Sequence, residues 1–276
     1  MINSKFDLSK KLALITGAAG LLGYEHAYAL LESNCNIIIT DIDFKRLINL
    51  KQNLSHQFPK CEIYIYEMDV TNFESINSVQ KELLEKNLYL NILINNAAID
   101  PKVKETNSLE NSRIENFSKK DWDLQLSVGL TGAFQCCQIF GSFMASQPKG
   151  GVILNIASDL SVIAPDQRIY KKKNLSDNVQ PVKPITYSVI KSGLIGLTKY
   201  ISTYWSDKNV RCNALSPGGV FNDQPAEFVE KISELIPLGR MANRDEYRAA
   251  IQFLCSEASS YMNGHNLVMD GGRSVW

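Results

Sequence analysis

Along the chain, short runs of apolar and β-branched residues alternate with longer stretches in which apolar residues recur every three or four positions. The runs are residues 11–16 (KLALIT), 36–40 (NIIIT), 62–68 (EIYIYEM), 90–97 (LNILINNA), 151–157 (GVILNIA), 210–215 (VRCNAL) and 266–270 (NLVMD). Most are almost continuously apolar rather than alternating, as expected of strands covered on both faces. The periodic segments between them, at 22–33, 44–57, 73–86, 119–146, 186–205 and 244–256, read as helices. This alternation predicts an α/β chain, one doubly wound parallel sheet of about seven strands with helices on both faces. No repeat, low-complexity tract or linker interrupts it, so residues 1–276 read as one domain.

Two segments break the rhythm. Residues 100–118 and 159–185 are polar, contain proline and exceed ordinary connections in length. Each leaves the carboxyl end of a predicted strand, the edge where open α/β sheets bind ligands. They also concentrate charge. Residues 165–184 hold Arg168, Lys171, Lys172, Lys173 and Lys183 against Asp166 and Asp177, a net of +3. Residues 101–120 hold Lys102, Lys104, Arg113, Lys119 and Lys120 against Glu105, Glu110 and Glu115, a net of +2. Such a rim would attract an anionic substrate; a solvated surface loop is the plainer alternative.

The whole chain carries 29 basic and 29 acidic residues. That balance argues against a dedicated nucleic-acid binder, which needs a basic excess. Hydrophobic residues make up 45%, enough for a core. No single apolar run approaches the roughly 20 residues of a membrane span, and the apolar stretch near the start is too short for a signal peptide. The expectation is therefore a soluble, cytoplasmic protein. Cys35, Cys61, Cys136, Cys137, Cys212 and Cys255 form no CxxC pair, and His26, His56 and His265 no HxxxH. A metal site is not expected, and the thiols read as buried and reduced.

Candidate chemistry begins where the first strand runs into Thr16-Gly17-Ala18-Ala19-Gly20-Leu21-Leu22-Gly23. Glycines between a strand and a helix permit a tight turn, a close approach of pyrophosphate to backbone, and phosphate binding at the helix start. Asp41 ends the next strand, where a carboxylate can bind an adenosine ribose and repel a 2′-phosphate; the plainer reading, a capped loop acid, suits Asp43 better than Asp41. Farther on lies Tyr187-Ser-Val-Ile-Lys191. With 11 Tyr in the chain, chance alone yields ~0.8 YxxxK strings, and Tyr204–Lys208 is a second. Ser158, just past a predicted strand, and the small residues Ser188, Ser192 and Gly193 favour the first; Tyr204 reads as surface.

In order, TGAAGLLG, Asp69-Val70, Asn95-Asn96-Ala97-Ala98, Ser158, YSVIK, Ser216-Pro217-Gly218-Gly219 and Met269-Asp270-Gly271-Gly272 run nearly the length of the chain. That series resembles the single-domain short-chain dehydrogenase/reductases. The resemblance implies a Rossmann-type fold and a nicotinamide-dependent oxidoreductase that assembles as a homotetramer or homodimer. It implies that Tyr187 is the catalytic acid/base, that Ser158 holds the substrate oxygen, and that Lys191 binds the nicotinamide ribose and lowers the tyrosine pKa. A free tyrosine titrates near 10, so reaching about 7 takes roughly 4 kcal/mol of favourable charge interaction. It further implies a cofactor site of Gly17, Gly20, Leu22, Gly23, Asp41, Asp69, Val70, Asn96, Tyr187, Lys191, Pro217 and Val220. Asn95 reads instead as a tie between strands. Asp41 followed by Ile42 favours NAD, although Lys45 and Arg46 stand close by in sequence.

Three departures from the family pattern stand out. The glycine string has TGxxGxxG spacing, that of the extended sugar-nucleotide branch. Gly129 occupies the position of the usual catalytic asparagine. Ser158 and Tyr187 lie 29 residues apart, about twice the customary gap. The expected activity interconverts a secondary alcohol and a ketone by hydride transfer, on an anionic sugar, phosphorylated or nucleotide-linked, of the kind used in bacterial surface-glycan or flagellin modification. Two other readings stay open: an epimerase or dehydratase that recycles bound NAD, and a non-catalytic dinucleotide-binding protein.

Overall fold

A computed structural model describes residues 4–99, 111–173 and 175–276. Seven strands form one sheet: β1 (Leu12–Thr16), β2 (Asn36–Asp41), β3 (Ile63–Glu67), β4 (Ile92–Asn95), β5 (Gly151–Ile156), β6 (Val210–Pro217) and β7 (Asn266–Met269). Their order is β3-β2-β1-β4-β5-β6-β7, and every pairing is parallel. Among the described residues seven helices accompany them: α1 (Leu21–Glu32), α2 (Phe44–Gln57), α3 (Phe73–Glu85), α4 (Lys119–Ala145), α5 (Ile185–Tyr204), α6 (Ala226–Ser233) and α7 (Arg248–Cys255).

Period-two geometry explains the unbroken apolar strands. Ala13, Ile15, Ile37, Ile39, Ile92 and Ile94 face one core with Leu30, Leu31, Leu47, Leu54, Ile251 and Leu254. Their neighbours Leu12, Leu14, Ile38, Leu93 and Ile153 face the other, with Ile76, Leu83, Phe140, Met144 and Ile201. The inner strands β1, β2 and β4 are covered on both faces, so neither of their faces can be polar. Helix starts follow local capping chemistry. Asp43 accepts from the Arg46 amide at α2, Asn72 from the Glu74 and Ser75 amides at α3, and Ser118 from the Asp121 amide at α4. The apolar pattern omits α6, whose eight residues bury only Ile232.

Helix α4 corrects one expectation. By length and composition it is sufficient to cross a membrane, although polar residues interleave its apolar ones. In the fold its Cys136, Cys137, Phe140 and Met144 are core residues packed on the sheet. The cysteines are all free; burial pushes the Cys137 and Cys255 thiols up to about 12 and leaves them unreactive.

Strand order reverses between β1 and β4, opening a crevice at the carboxyl edge. The described parts of both long segments meet there. The Val182 amide donates to Ser112 Oγ at 3.0 Å, and Arg113 Nη1 donates to the Asp177 carbonyl at 2.9 Å. The second segment also folds onto α6. Ile169 packs with Ile232, Ile236 and Met241, Tyr170 lies 5.6 Å from Phe228, and Lys231 donates to the Lys171 carbonyl at 2.7 Å. Residues 100–110 of the first segment fall outside the described residues.

Helix α1 carries an unusual core residue. His26 is 1% exposed, and neither ring nitrogen has a partner in hydrogen-bond geometry among the described residues. Burial pushes its pKa down from 6.5 to about 3, opposed only by the Asn96 side chain nearby. Between those values the unfolded chain binds the extra proton and the folded one does not. Stability should therefore be greatest above pH 6.5 and fall as pH drops toward 3, by up to about 1.4 kcal/mol per pH unit. Replacing His26 with leucine is expected to add about 1–3 kcal/mol at neutral pH and to flatten this acid limb, as measured by urea unfolding across pH.

Candidate active site

The turn between β1 and α1 is shaped by what it cannot accommodate. Gly17 sits at φ +61°, and a Cβ there would fall 2.8 Å from the Ala97 Cα. A Cβ on Gly23 would fall 2.5 Å from the Gly17 carbonyl oxygen and 2.7 Å from the Ala18 backbone. Neither obstacle is a side chain able to move aside, so the helix can pack this closely only on glycine. Gly20 at the start of α1 offers no side-chain cap, and the first turn, which begins Leu21-Leu22, holds no acidic residue. Its amides and positive end are suited to an anion such as pyrophosphate. The cradle thus fits a dinucleotide.

Asn96 clamps this turn to β4, its Nδ2 donating to the Thr16 and Gly17 carbonyls at 3.0 Å each. Asn95 ties strands together, donating to Asn155 Oδ1 at 2.8 Å, while Asn155 donates on to Thr198 Oγ1 at 2.8 Å. At the end of β2, Asp41 Oδ2 accepts from the Ala19 amide at 3.1 Å and Oδ1 from the Asp43 amide at 3.1 Å. Arg46 reaches the same place, its Nη2 donating to the Ala19 carbonyl. A carboxylate and a guanidinium therefore flank one turn, which sequence spacing only hinted at. Beyond β3, Asp69 Oδ1 accepts from the Thr71 amide at 2.8 Å and the Thr71 hydroxyl at 2.7 Å, and Val70 is buried beside Gly132.

The chemical end of the crevice is built from β5 and α5. Helix α5 packs on the turn Asp159–Ser161 that follows Ser158. Lys191, 7% exposed, donates from Nζ to the Ile156 carbonyl at 2.8 Å, two residues before Ser158. One helical turn separates Lys191 from Tyr187, and its Nζ lies 5.7 Å from the Tyr187 ring centroid. A second ammonium is closer: Lys183 Nζ lies 3.8 Å from that centroid. Tyr204, the other YxxxK tyrosine, is 60% exposed and stacks on Tyr200, away from this site. At the neighbouring strand end, β6 closes at Pro217, and Val220 forms a bridge to Ala242. A cleft of ≈ 350 Å³ lies beside α5, lined by Arg113, Pro165, Gln167, Lys183, Ile185 and Ser188 among others.

The surroundings of Ser158 were not legible from motifs. The Ser158 hydroxyl donates to Asp159 Oδ1 at 2.8 Å, and the Leu160 amide donates to that same oxygen at 2.8 Å and to Ser158 Oγ at 3.2 Å. Asp159 Oδ2 in turn accepts from Arg273 Nη1 at 2.8 Å. Both charged side chains are buried, at 4% and 7% exposure. An acid directly after the strand-end serine was the available signal. Its partner, 114 residues away in the turn after β7, carried none.

Gly129 lies in a widened turn of α4, Ser127–Thr131. A Cβ there would meet Ile190 Cγ2 at 2.8 Å and Cδ1 at 3.3 Å. The space an asparagine side chain would enter is filled by Ile190, a stiff β-branched residue on α5 between Tyr187 and Lys191. An asparagine at position 129 would therefore have to displace Ile190 before its amide could act. The single substitution is expected to cost about 1–3 kcal/mol in thermal unfolding, and Ile190→Ser in the same chain should recover most of it.

Comparison with known proteins places these observations in context. Residues 17–274 match the family model described as enoyl-(acyl carrier protein) reductase. The chain is 29% identical to the D-threitol dehydrogenase of Mycolicibacterium smegmatis, over 99% of this chain and 96% of that protein. It is 28% identical to the NAD-dependent glycerol dehydrogenase of Listeria innocua, over 98% and 96% respectively. A gluconate 5-dehydrogenase from Burkholderia cenocepacia, solved with NADP and tartrate, superposes with a TM-score of 0.82 at 25% identity, covering 99% of this chain and 98% of that one.

Proposed function

The chain belongs to the short-chain dehydrogenase/reductase family, an oxidoreductase family that uses a nicotinamide dinucleotide, and on that footing we propose that it interconverts a secondary alcohol and a ketone on a sugar-sized polyhydroxy substrate, with NAD(H) as cofactor. The observation that carries this reading is the grouping of Ser158, Tyr187 and Lys191 around the end of β5, next to a cleft at the sheet's carboxyl edge. With its pyrophosphate in the glycine cradle, a bound dinucleotide would supply the hydride acceptor or donor through its nicotinamide.

The protein's own residues handle the oxygen and its proton. Tyr187 Oη gives or takes the proton on the substrate oxygen. Ser158 Oγ holds that oxygen in place. Lys191, fixed by the Ile156 carbonyl, sets a positive charge beside the tyrosine and favours its phenolate. Gly17, Gly20, Leu22 and Gly23 take the pyrophosphate, Asp41 the adenosine ribose, and Asp69 and Val70 the adenine. Asn96 supports the turn beneath, and Pro217 and Val220 border the carboxamide. Asp41 supports NAD over NADP.

An anionic sugar is the finer reading. Arg168 supports it less than its sequence position suggested, because Asp166 holds the guanidinium by 2.9 and 2.6 Å bonds. Lys183 supports it more, since its ammonium sits on the face of Tyr187. A cytoplasmic homodimer or homotetramer, each chain a single domain, completes the proposal.

The test is a substrate panel of neutral polyols, aldonates, sugar phosphates and nucleotide sugars. Formation of reduced nicotinamide is followed by absorbance at low and moderate salt. Turnover with net redox supports the oxidoreductase. Product without net redox would instead mark an epimerase or dehydratase. Efficiency only on neutral polyols, unaffected by salt, removes the anionic substrate.

A further inference from the structure

Ser158 has a neighbour that should, on simple grounds, work against it. To hold a substrate oxygen the hydroxyl must direct its proton into the cleft. In the structure that proton is directed at the Asp159 carboxylate, 2.8 Å away. A carboxylate is a stronger acceptor than a ketone or alcohol oxygen, so an isolated Asp159 would keep the proton for itself. It is not isolated. Oδ1 also accepts from the Leu160 amide, and Oδ2 accepts from Arg273, both at 2.8 Å. Arg273 is itself buried, in the turn that closes β7, so the ion pair is little screened by water.

We infer that Asp159 and Arg273 form a positioning pair that governs where the Ser158 hydroxyl proton points, with Arg273 drawing carboxylate charge away from the serine. With Oδ2 paired and Oδ1 still served by the Leu160 amide, the carboxylate remains satisfied when the hydroxyl rotates toward the substrate. The bond to Asp159 holds Ser158 in place between turnovers, and Arg273 makes it weak enough to exchange. The turn after β7 is thereby coupled to the reacting centre of β5 through two side chains. This inference rests on the assignment of Ser158 to the reacting centre.

The experiment is a set of variants of the full chain, assayed on the best substrate of the panel. Affinity for reduced nicotinamide dinucleotide, read by fluorescence, and thermal unfolding are measured beside kcat and KM. Arg273→Met leaves the carboxylate unpaired and is expected to lower kcat roughly ten- to a hundredfold, with dinucleotide affinity unchanged. Arg273→Lys should restore most of the loss. Asp159→Asn combined with Arg273→Met should also restore it, because no carboxylate then competes for the hydroxyl proton; a purely structural pair would give a double variant no better than the single. If Arg273→Met does not fold, the double variant and Arg273→Lys carry the comparison with the parent, and a kcat far below the parent in both overturns the inference. In a Ser158→Ala background Arg273→Met should cost nothing further. A full additional loss there, or a parent-like kcat for Arg273→Met, also overturns it. If Ser158→Ala leaves turnover intact, the failure lies with the assignment of Ser158 instead.

Discussion

Tyr187→Phe is expected to lower kcat by about a thousandfold, within the range that a positioned proton-transfer group supplies. Affinity for reduced dinucleotide should stay near that of the parent. The substitution removes one oxygen and leaves the ring, so the Lys183 ammonium keeps its aromatic face at 3.8 Å. Lys191→Ala should damage both kcat and cofactor binding. It deletes the donor to the Ile156 carbonyl and the positive charge nearest the expected ribose. Tyr204→Phe provides the control, since that tyrosine stacks on Tyr200 at the surface and should be silent. Steady-state kinetics and dinucleotide titration of the three variants decide the matter. A Tyr187→Phe enzyme that still turns over near the parent rate removes the tyrosine from the mechanism.

The second large effect concerns cofactor choice. Asp41 and Arg46 both reach the backbone of Ala19, the carboxylate through its amide and the guanidinium through its carbonyl. A 2′-phosphate brought there would meet an anion and a cation within one turn. On the proposed role of Asp41, repelling that phosphate and binding the ribose hydroxyls, NADH should bind the parent chain more tightly than NADPH. Asp41→Ser deletes the repulsion and leaves Arg46 in place as a charge-assisted partner. The NADPH-to-NADH affinity ratio should then rise by roughly 100- to 1000-fold, equivalent to about 3–4 kcal/mol. Adding Arg46→Ala should cancel most of that gain. Fluorescence titration of both cofactors reads the ratio directly, and tighter NADPH binding by the parent would contradict the assignment of NAD.

The sheet was legible because burial on both faces leaves an unbroken apolar record. All seven runs, from residues 11–16 to 266–270, correspond to strands. Helix α6 was not, because eight residues that bury one isoleucine leave too little periodicity to read. Single-residue geometry decided what else showed. Gly17 and Gly23 were visible because their turn admits no Cβ. Pairings between distant segments were not visible. Neither the Ile190 side chain filling the space beside Gly129 nor the Arg273–Asp159 pair leaves a local trace. The two inserted segments were recognised by length and charge. That their described parts meet through Ser112 and Val182, and that the second packs on α6, depends on contacts that no local pattern encodes.

The strand order has a consequence for how the chain comes to be folded. β1 finds β2 about two dozen residues later, but its other neighbour, β4, begins only at Ile92. During synthesis the first strand therefore waits with one edge of unpaired backbone N–H and C=O groups open while α1, β2, α2, β3 and α3 emerge. The half of the crevice proposed for adenosine can assemble in that interval; the half with Ser158, Tyr187 and Arg273 cannot close until β7 and the turn after it arrive. Such distant parallel pairings make assembly slow, and an open edge in the waiting state is a place for one nascent chain to join another. The yield of folded protein should thus respond to growth temperature and chaperone supply more than equilibrium stability alone would suggest.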